Sequence, residues 1–165
     1  MSLIPSNTRI TPFLWFDGNA DEAVNFYLSV FKNSRRLDKL DSAVDSSVPK
    51  GKTITISFEL DGQAFVALNG GPNFKFTEAI SFMIRCENQE EIDYYWSKLT
   101  GDGGQEIQCG WLKDRFGLAW QVVPAQIGQL VSTPNGMQAM MKMKKLDIAE
   151  LEKANKSAKS AAADA

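Results

Sequence analysis

The stretches NADEAVNFY (residues 19–27) and NQEEIDYYW (residues 88–96) decide the fold, because one pattern is written twice in a chain of 165 residues. Each opens on an asparagine, carries a glutamate three residues later and closes on an aromatic pair. An asparagine accepts hydrogen bonds from the free N–H groups of a first helical turn, and a glutamate at that spacing reaches back in a capping box. The spacing predicts one helix capped by Asn19 and another by Asn88, with Glu22 and Glu91 as their partners. The pairs Phe26/Tyr27 and Tyr95/Trp96 then fall where each helix packs on a sheet.

Outward from these helices the duplication continues. ITPFLWF (residues 10–16) and AISFMIRC (residues 79–86) precede them, rich in the aromatic and branched residues of strands. DGQAFVAL (residues 61–68) and FGLAWQVV (residues 116–123) share glycine, one residue, alanine and an aromatic. Gly62 and Gly117 suit the positive φ of a tight turn, with a returning strand after each. KTITISFEL (residues 52–60) alternates as a strand does, QEIQCGWL (residues 105–112) follows the turn GDGG, and LDKLDSAVDSSVPKG (residues 37–51) reads as a short strand and a mobile loop. The expected class is α+β, with paired βαβββ modules at about residues 8–70 and 78–124 inside a domain spanning 1–133. A helical extension is expected over 134–165, where Met137, Met140, Met141 and Leu151 recur at helical spacing, ending in a small, polar, disordered tail.

Composition narrows the function. A 44% hydrophobic, 10% aromatic chain can bury a core, and a net charge of −2 without a basic stripe argues against nucleic acid as a partner. No apolar run approaches the length of roughly eighteen residues that spans a membrane, and MSLIPSNTRI lacks the pattern of a secretion signal, so a cytoplasmic protein is expected. Cys86 and Cys109 are expected to be reduced, small core residues. The chain has no histidine, which leaves Glu59, Asp114 or Tyr27 as candidates for proton transfer, none with an evident partner. The catalytic residues, if any, are unknown at this level.

Paired βαβββ units resemble the vicinal oxygen chelate superfamily, which includes glyoxalases, dioxygenases and bleomycin-resistance proteins. TPFLWFDGNADEAVNFY (residues 11–27), FVALNGGPNFKF (residues 65–76) and CGWLKDRFGLAWQVVP (residues 109–124) resemble its PhnB-like branch, often labelled 3-demethylubiquinone-9 3-methyltransferase. In metal-dependent members each half supplies one ligand from its opening strand and one from its closing strand. The resemblance carries these positions onto Val66 and Gln121, four residues after Gly62 and Gly117, and onto the neighbourhoods of Pro12 and Ser81. Proline, valine, serine and glutamine lack the imidazole, carboxylate or thiolate that divalent metals require, so neither a metal nor another cofactor is expected. The methyltransferase label lacks support in the residues, since no glycine-rich strand-to-helix turn occurs and NGGP (residues 69–72) leads toward a strand.

The resemblance implies a cavity between curved sheets. Gln121 is the expected polar residue within it, with Trp15, Phe82 and Trp111 as aromatic walls, supported by Phe65 and Trp120, and with Asn69 near its rim. Strand alternation forbids Trp120 and Gln121 from sharing a face. Ordinary roles compete with each: Gln121 can satisfy a core amide, Asn69 can form an Asx turn before Gly70 and Gly71, and Asp114 can be an exposed turn acid. The expected function is metal-independent binding of a small apolar or aromatic molecule by a homodimer joined through the methionine-rich extension. The alternative is an enzyme, either the labelled methyltransferase or a lyase/isomerase.

Overall fold

In the computed structural model, which describes residues 9–163 and side chains as far as residue 157, each of the two helices follows a strand and is followed by three more. The first unit, Met1–Phe76, holds β1 (Phe13–Phe16), α1 (Ala20–Val30), β2 (Ser34–Asp41), β3 (Thr53–Leu60) and β4 (Gln63–Asn69). The second, Thr77–Ala165, holds β5 (Ser81–Cys86), α2 (Gln89–Thr100), β6 (Gln105–Glu106), β7 (Trp111–Lys113) and β8 (Ala119–Pro124), then α3 (Ile127–Leu130), α4 (Pro134–Lys142) and α5 (Ile148–Ala163). Their sheets are ordered β1-β4-β3-β2 and β5-β8-β7-β6. In each, opening and closing strands run parallel and the remaining pairs are antiparallel. This is an α+β fold of paired βαβββ modules with C-terminal helices.

In the first unit, Asp61 and Gly62 turn the β3–β4 hairpin with φ of 48° and 81°, the two positive values a two-residue type I′ turn requires. The hairpin brings Phe58 opposite Phe65 with ring centroids 5.4 Å apart, and Tyr27 of α1 stacks on Phe58 at 6.2 Å. Burying each such ring contributes on the order of 1.5–3 kcal/mol. The N-terminus of α1 differs from the sequence expectation. Asn19 makes no side-chain cap, and Asn69 at the end of β4 instead accepts the Ala20 N–H at 3.0 Å while donating to the Thr53 carbonyl at 3.0 Å. A tertiary contact has replaced the local cap.

In the second unit the local cap forms. Asn88 Oδ1 accepts the Glu91 N–H at 2.9 Å, and Glu91 reaches back to the Glu87 N–H at 2.8 Å, one residue beyond the usual capping-box partner. Ile92, Trp96 and Leu99 of α2 are buried, as are Leu112, Trp120 and Val122 of the sheet.

The C-terminal helices are tied to the second unit. Cys109 and Gly110 donate their N–H groups to the Met143 and Lys144 carbonyls, both at 2.8 Å. Leu146 and Leu151 are fully buried in a cluster with Val123 and Leu130. The apolar stripe expected to need a second subunit is thus partly covered by the chain itself. Cys109 is corrected as well: it is half-buried at a left-handed turn with φ of 61°, whereas Cys86 is a core residue. Helix α5 continues through Ala163, because the alanine- and lysine-rich composition read as a tail also favours helix. The last two residues lie outside the described range. Among the described residues no helix is long and apolar enough to cross a membrane.

Candidate functional site

Register sorts the second sheet into two faces. Met83 pairs with Gln121 and Gln121 with Trp111, so these three side chains form one row on one face, spanning about 10 Å across strands spaced about 4.8 Å apart. Met83 is 54% exposed, and Gln121 and Trp111 are half-buried. The row below on the same face contains Ser81, whose hydroxyl accepts a hydrogen bond from Gln121 Nε2 at 2.9 Å. That bond holds the amide and leaves the Gln121 carbonyl oxygen without a partner among the described residues. Phe82 stands on the other face, paired in register with Trp120, with ring centroids 5.8 Å apart. The expectation that Phe82 lines the site beside Gln121 is corrected by this alternation: Phe82 supports the sheet from behind.

Trp120 is fixed there by a residue that looked superficial in the sequence. Asp114 is 2% exposed, and its carboxylate accepts the Phe116 and Leu118 N–H groups at 2.9 and 3.1 Å and the Trp120 indole N–H at 2.9 Å. The expected exposed turn acid is a buried anchor. In sequence it is an aspartate before a glycine turn with a tryptophan six residues on, a pattern that does not by itself distinguish burial from exposure.

Trp15 and Asn69 belong to the first unit. Trp15 donates its indole N–H to the Gly71 carbonyl at 2.8 Å and meets Phe74 edge-on at 4.8 Å. A side chain at Gly70 would collide with the Trp15 ring, since an added Cβ would lie 2.3 Å from it. Asn69 has both amide ends engaged within its unit, at Ala20 and Thr53. These contacts give both residues local structural work.

The duplication also refines the positions onto which the resemblance carries a metal-dependent member's ligands. Val66 pairs with Phe13 as Gln121 pairs with Met83, so two residues earlier on each opening strand stand Thr11 and Ser81. The first-half counterpart is therefore Thr11, one residue from the expected Pro12. Within the first unit Thr11 and Val66 offer one hydroxyl, and within the second Ser81 and Gln121 offer a hydroxyl and an amide, neutral groups that in neither unit suit a divalent ion. Among the described residues no three histidine, cysteine, aspartate or glutamate side chains gather elsewhere. Neither module helix start carries the glycine-rich turn that typically seats S-adenosylmethionine: β1 reaches α1 through Asp17, Gly18 and Asn19, and β5 reaches α2 through Glu87 and Asn88.

Charge on the Gln121 face comes from Lys113 and Arg85. Lys113 is 2.6 Å from Glu78, and its hydrogen bond holds the Glu78 carboxyl below its ordinary value. Behind the face, burial pushes the Cys86 thiol up to about 12, with Glu91 and Glu87 adding to the shift. Elsewhere in the unit a recess of about 520 Å³ lies beside α3 and α5, but the Asn155 amide that lines it is spent on Thr133 and the Gln129 carbonyl.

Two parallel-closed βαβββ modules define the vicinal oxygen chelate class. Within it, residues 8–123 match the model of the family described as 3-demethylubiquinone-9 3-methyltransferase. The chain is similar to the PhnB protein of Bacillus cereus, to which that same activity is ascribed, at 35% identity over 72% of this chain and 100% of that one, with a TM-score of 0.64. It belongs to this PhnB-like family. The fold also matches protein PA1353 from Pseudomonas aeruginosa, at 23% identity over 72% of this chain and 98% of that one, with a TM-score of 0.58. A further fold match is the fosfomycin resistance protein FosX of Listeria monocytogenes in complex with Mn(II) and sulfate, at 14% identity over 76% of this chain and 96% of that one, with a TM-score of 0.50. Among curated proteins none matches the chain.

Proposed function

We propose that the Gln121 face of the second unit binds a small apolar or aromatic molecule without a metal, the Gln121 amide orienting it. The observation that carries this reading is the row itself: a half-buried amide, held from below by Ser81, between an exposed methionine and a tryptophan. Flat apolar area supplies affinity in such a site and one oriented polar group supplies direction. The family's methyltransferase description gains no support from the residues, because neither module helix start carries a glycine-rich turn to seat the donor. We propose the homodimer through Met137 and Met141, which remain 41% and 60% exposed on α4 after the rest of the stripe is covered.

The test uses N-phenyl-1-naphthylamine, a neutral aromatic whose amine N–H can donate to the Gln121 carbonyl oxygen. Gln121→Leu should keep the fold and weaken binding by about 1 to 3 kcal/mol, the cost of losing that buried partner. Unchanged affinity would return Gln121 to a purely structural role.

A further inference from the structure

Arg85 follows Met83 by two residues on β5, and its registered partner Val123 follows Gln121 by two on β8. Alternation therefore puts Arg85 on the site face, one row beyond Gln121 and about 6.6 Å along the strand. The other strand arginines meet carboxylates: Arg35 lies 3.4 Å from Glu59 and Arg36 lies 2.8 Å from Asp21. Arg85 is exposed and has no carboxylate partner among the described residues. No strand residue of its face is acidic, since Glu106 of β6 turns to the opposite side, where it accepts the Trp96 indole N–H. Glu78 is already engaged by Lys113. Beside Arg85, Val123 is sealed by Leu146 and Leu151, so the row beyond Gln121 ends in an apolar wall with one uncompensated cation next to it. Residues 124–165 lie outside the part matched by the family model, so this end wall is built by the chain's own extension.

We propose that Arg85 is the anion-binding end of the site, and that the ligand is a small organic anion. Its apolar body lies over Met83 and Trp111, and a carboxylate, sulfonate or phosphonate group reaches Arg85. This deepens the reading above and rests on it. A guanidinium suits the role, because it presents a planar fork of donors that matches an oxyanion and sheds water more readily than an ammonium.

The experiment compares 8-anilinonaphthalene-1-sulfonate with N-phenyl-1-naphthylamine, which share an aromatic body and differ by the sulfonate. Both are titrated by fluorescence into the full chain and into Arg85→Gln, Arg85→Lys, Trp111→Ala and Gln121→Leu. Arg85→Gln should weaken the sulfonate about three- to fivefold and leave the neutral probe unchanged, since an exposed charge contact contributes no more than about fivefold. Arg85→Lys should restore part of the loss. Trp111→Ala should weaken both probes. If Arg85→Gln changes both probes equally or neither, while Trp111→Ala and Gln121→Leu still weaken both, the anion end is overturned and the binding reading survives. If Trp111→Ala and Gln121→Leu leave both probes unchanged, the binding reading falls and takes the anion end with it.

Discussion

At the scale of single residues, polar side chains divide by how completely their bonding capacity is spent. Asn69 and Asp114 are consumed by backbone and indole partners, whereas the Gln121 carbonyl oxygen has no partner among the described residues. Asp114→Ala should therefore cost on the order of 3 kcal/mol in urea unfolding, because hydrogen bonds to a buried carboxylate are lost together. Little or no loss would mean that water replaces them. The thiols give a second check. Cys86 is buried with its pKa raised to about 12, so it should resist a thiol reagent at pH 8 until denaturant is added, while half-buried Cys109 reacts in the native protein. Since the folded pKa of Cys86 lies above its unfolded value near 9, its contribution to stability is whole below that value and is lost as pH rises toward 12. Cys86→Ala should flatten that alkaline decline. The strand position of Gln121 was legible because a glycine four residues earlier marks the same place in both halves. The burial of Asp114 was not, because a turn aspartate looks alike in sequence whether an indole closes over it or solvent does.

Among the elements, the two helix starts show where local chemistry suffices and where it does not. Asn88 caps α2 from the adjacent position, as its sequence promises, but the amide of α1 is capped by Asn69 from the end of a strand. Nothing within a few residues of Asn19 could signal a partner that only the folded sheet brings near. The C-terminal helices are held in the same long-range way. Gln89 at the start of α2 donates to the Leu146 carbonyl at 3.0 Å and accepts the Ile148 N–H at 2.9 Å, and Lys145 lies 2.7 Å from Asp93. Gln89→Ala should loosen this clasp by about 1–2 kcal/mol. Hydrogen exchange should then quicken at residues 143–151 while the β5–β8 pair stays protected, and uniform exchange across the unit would contradict it. The Asp93 carboxyl is held below its ordinary value chiefly by the hydrogen bond from Lys145. Its folded pKa is the lower one, so the support it gives is present above the unfolded value and fades as pH falls below about 4. The clasp should open first in acid.

For the whole molecule, the duplication made the architecture readable: two matched patterns of strand, capped helix and glycine turn predicted two βαβββ modules, and both sheets have the same strand order. The extension was legible as helical but not in its packing, because methionine periodicity does not say whether its cover is the same chain or another. Leu146 and Leu151 settle that for part of the stripe, leaving Met137 and Met141 for the proposed dimer. Light scattering at micromolar concentration should show a dimer that the double substitution Met137→Lys, Met141→Lys converts to monomer without lowering the melting temperature. A monomeric unsubstituted chain would end that proposal. The central claim, metal-independent binding on the Gln121 face, is tested most directly by NMR titration of ¹⁵N-labelled protein with N-phenyl-1-naphthylamine in the presence of a chelator. The account predicts shifts concentrated at the Gln121 side-chain amide, the Trp111 indole and Met83. Shifts confined to other parts of the chain, or binding that begins only when a divalent metal replaces the chelator, would contradict it.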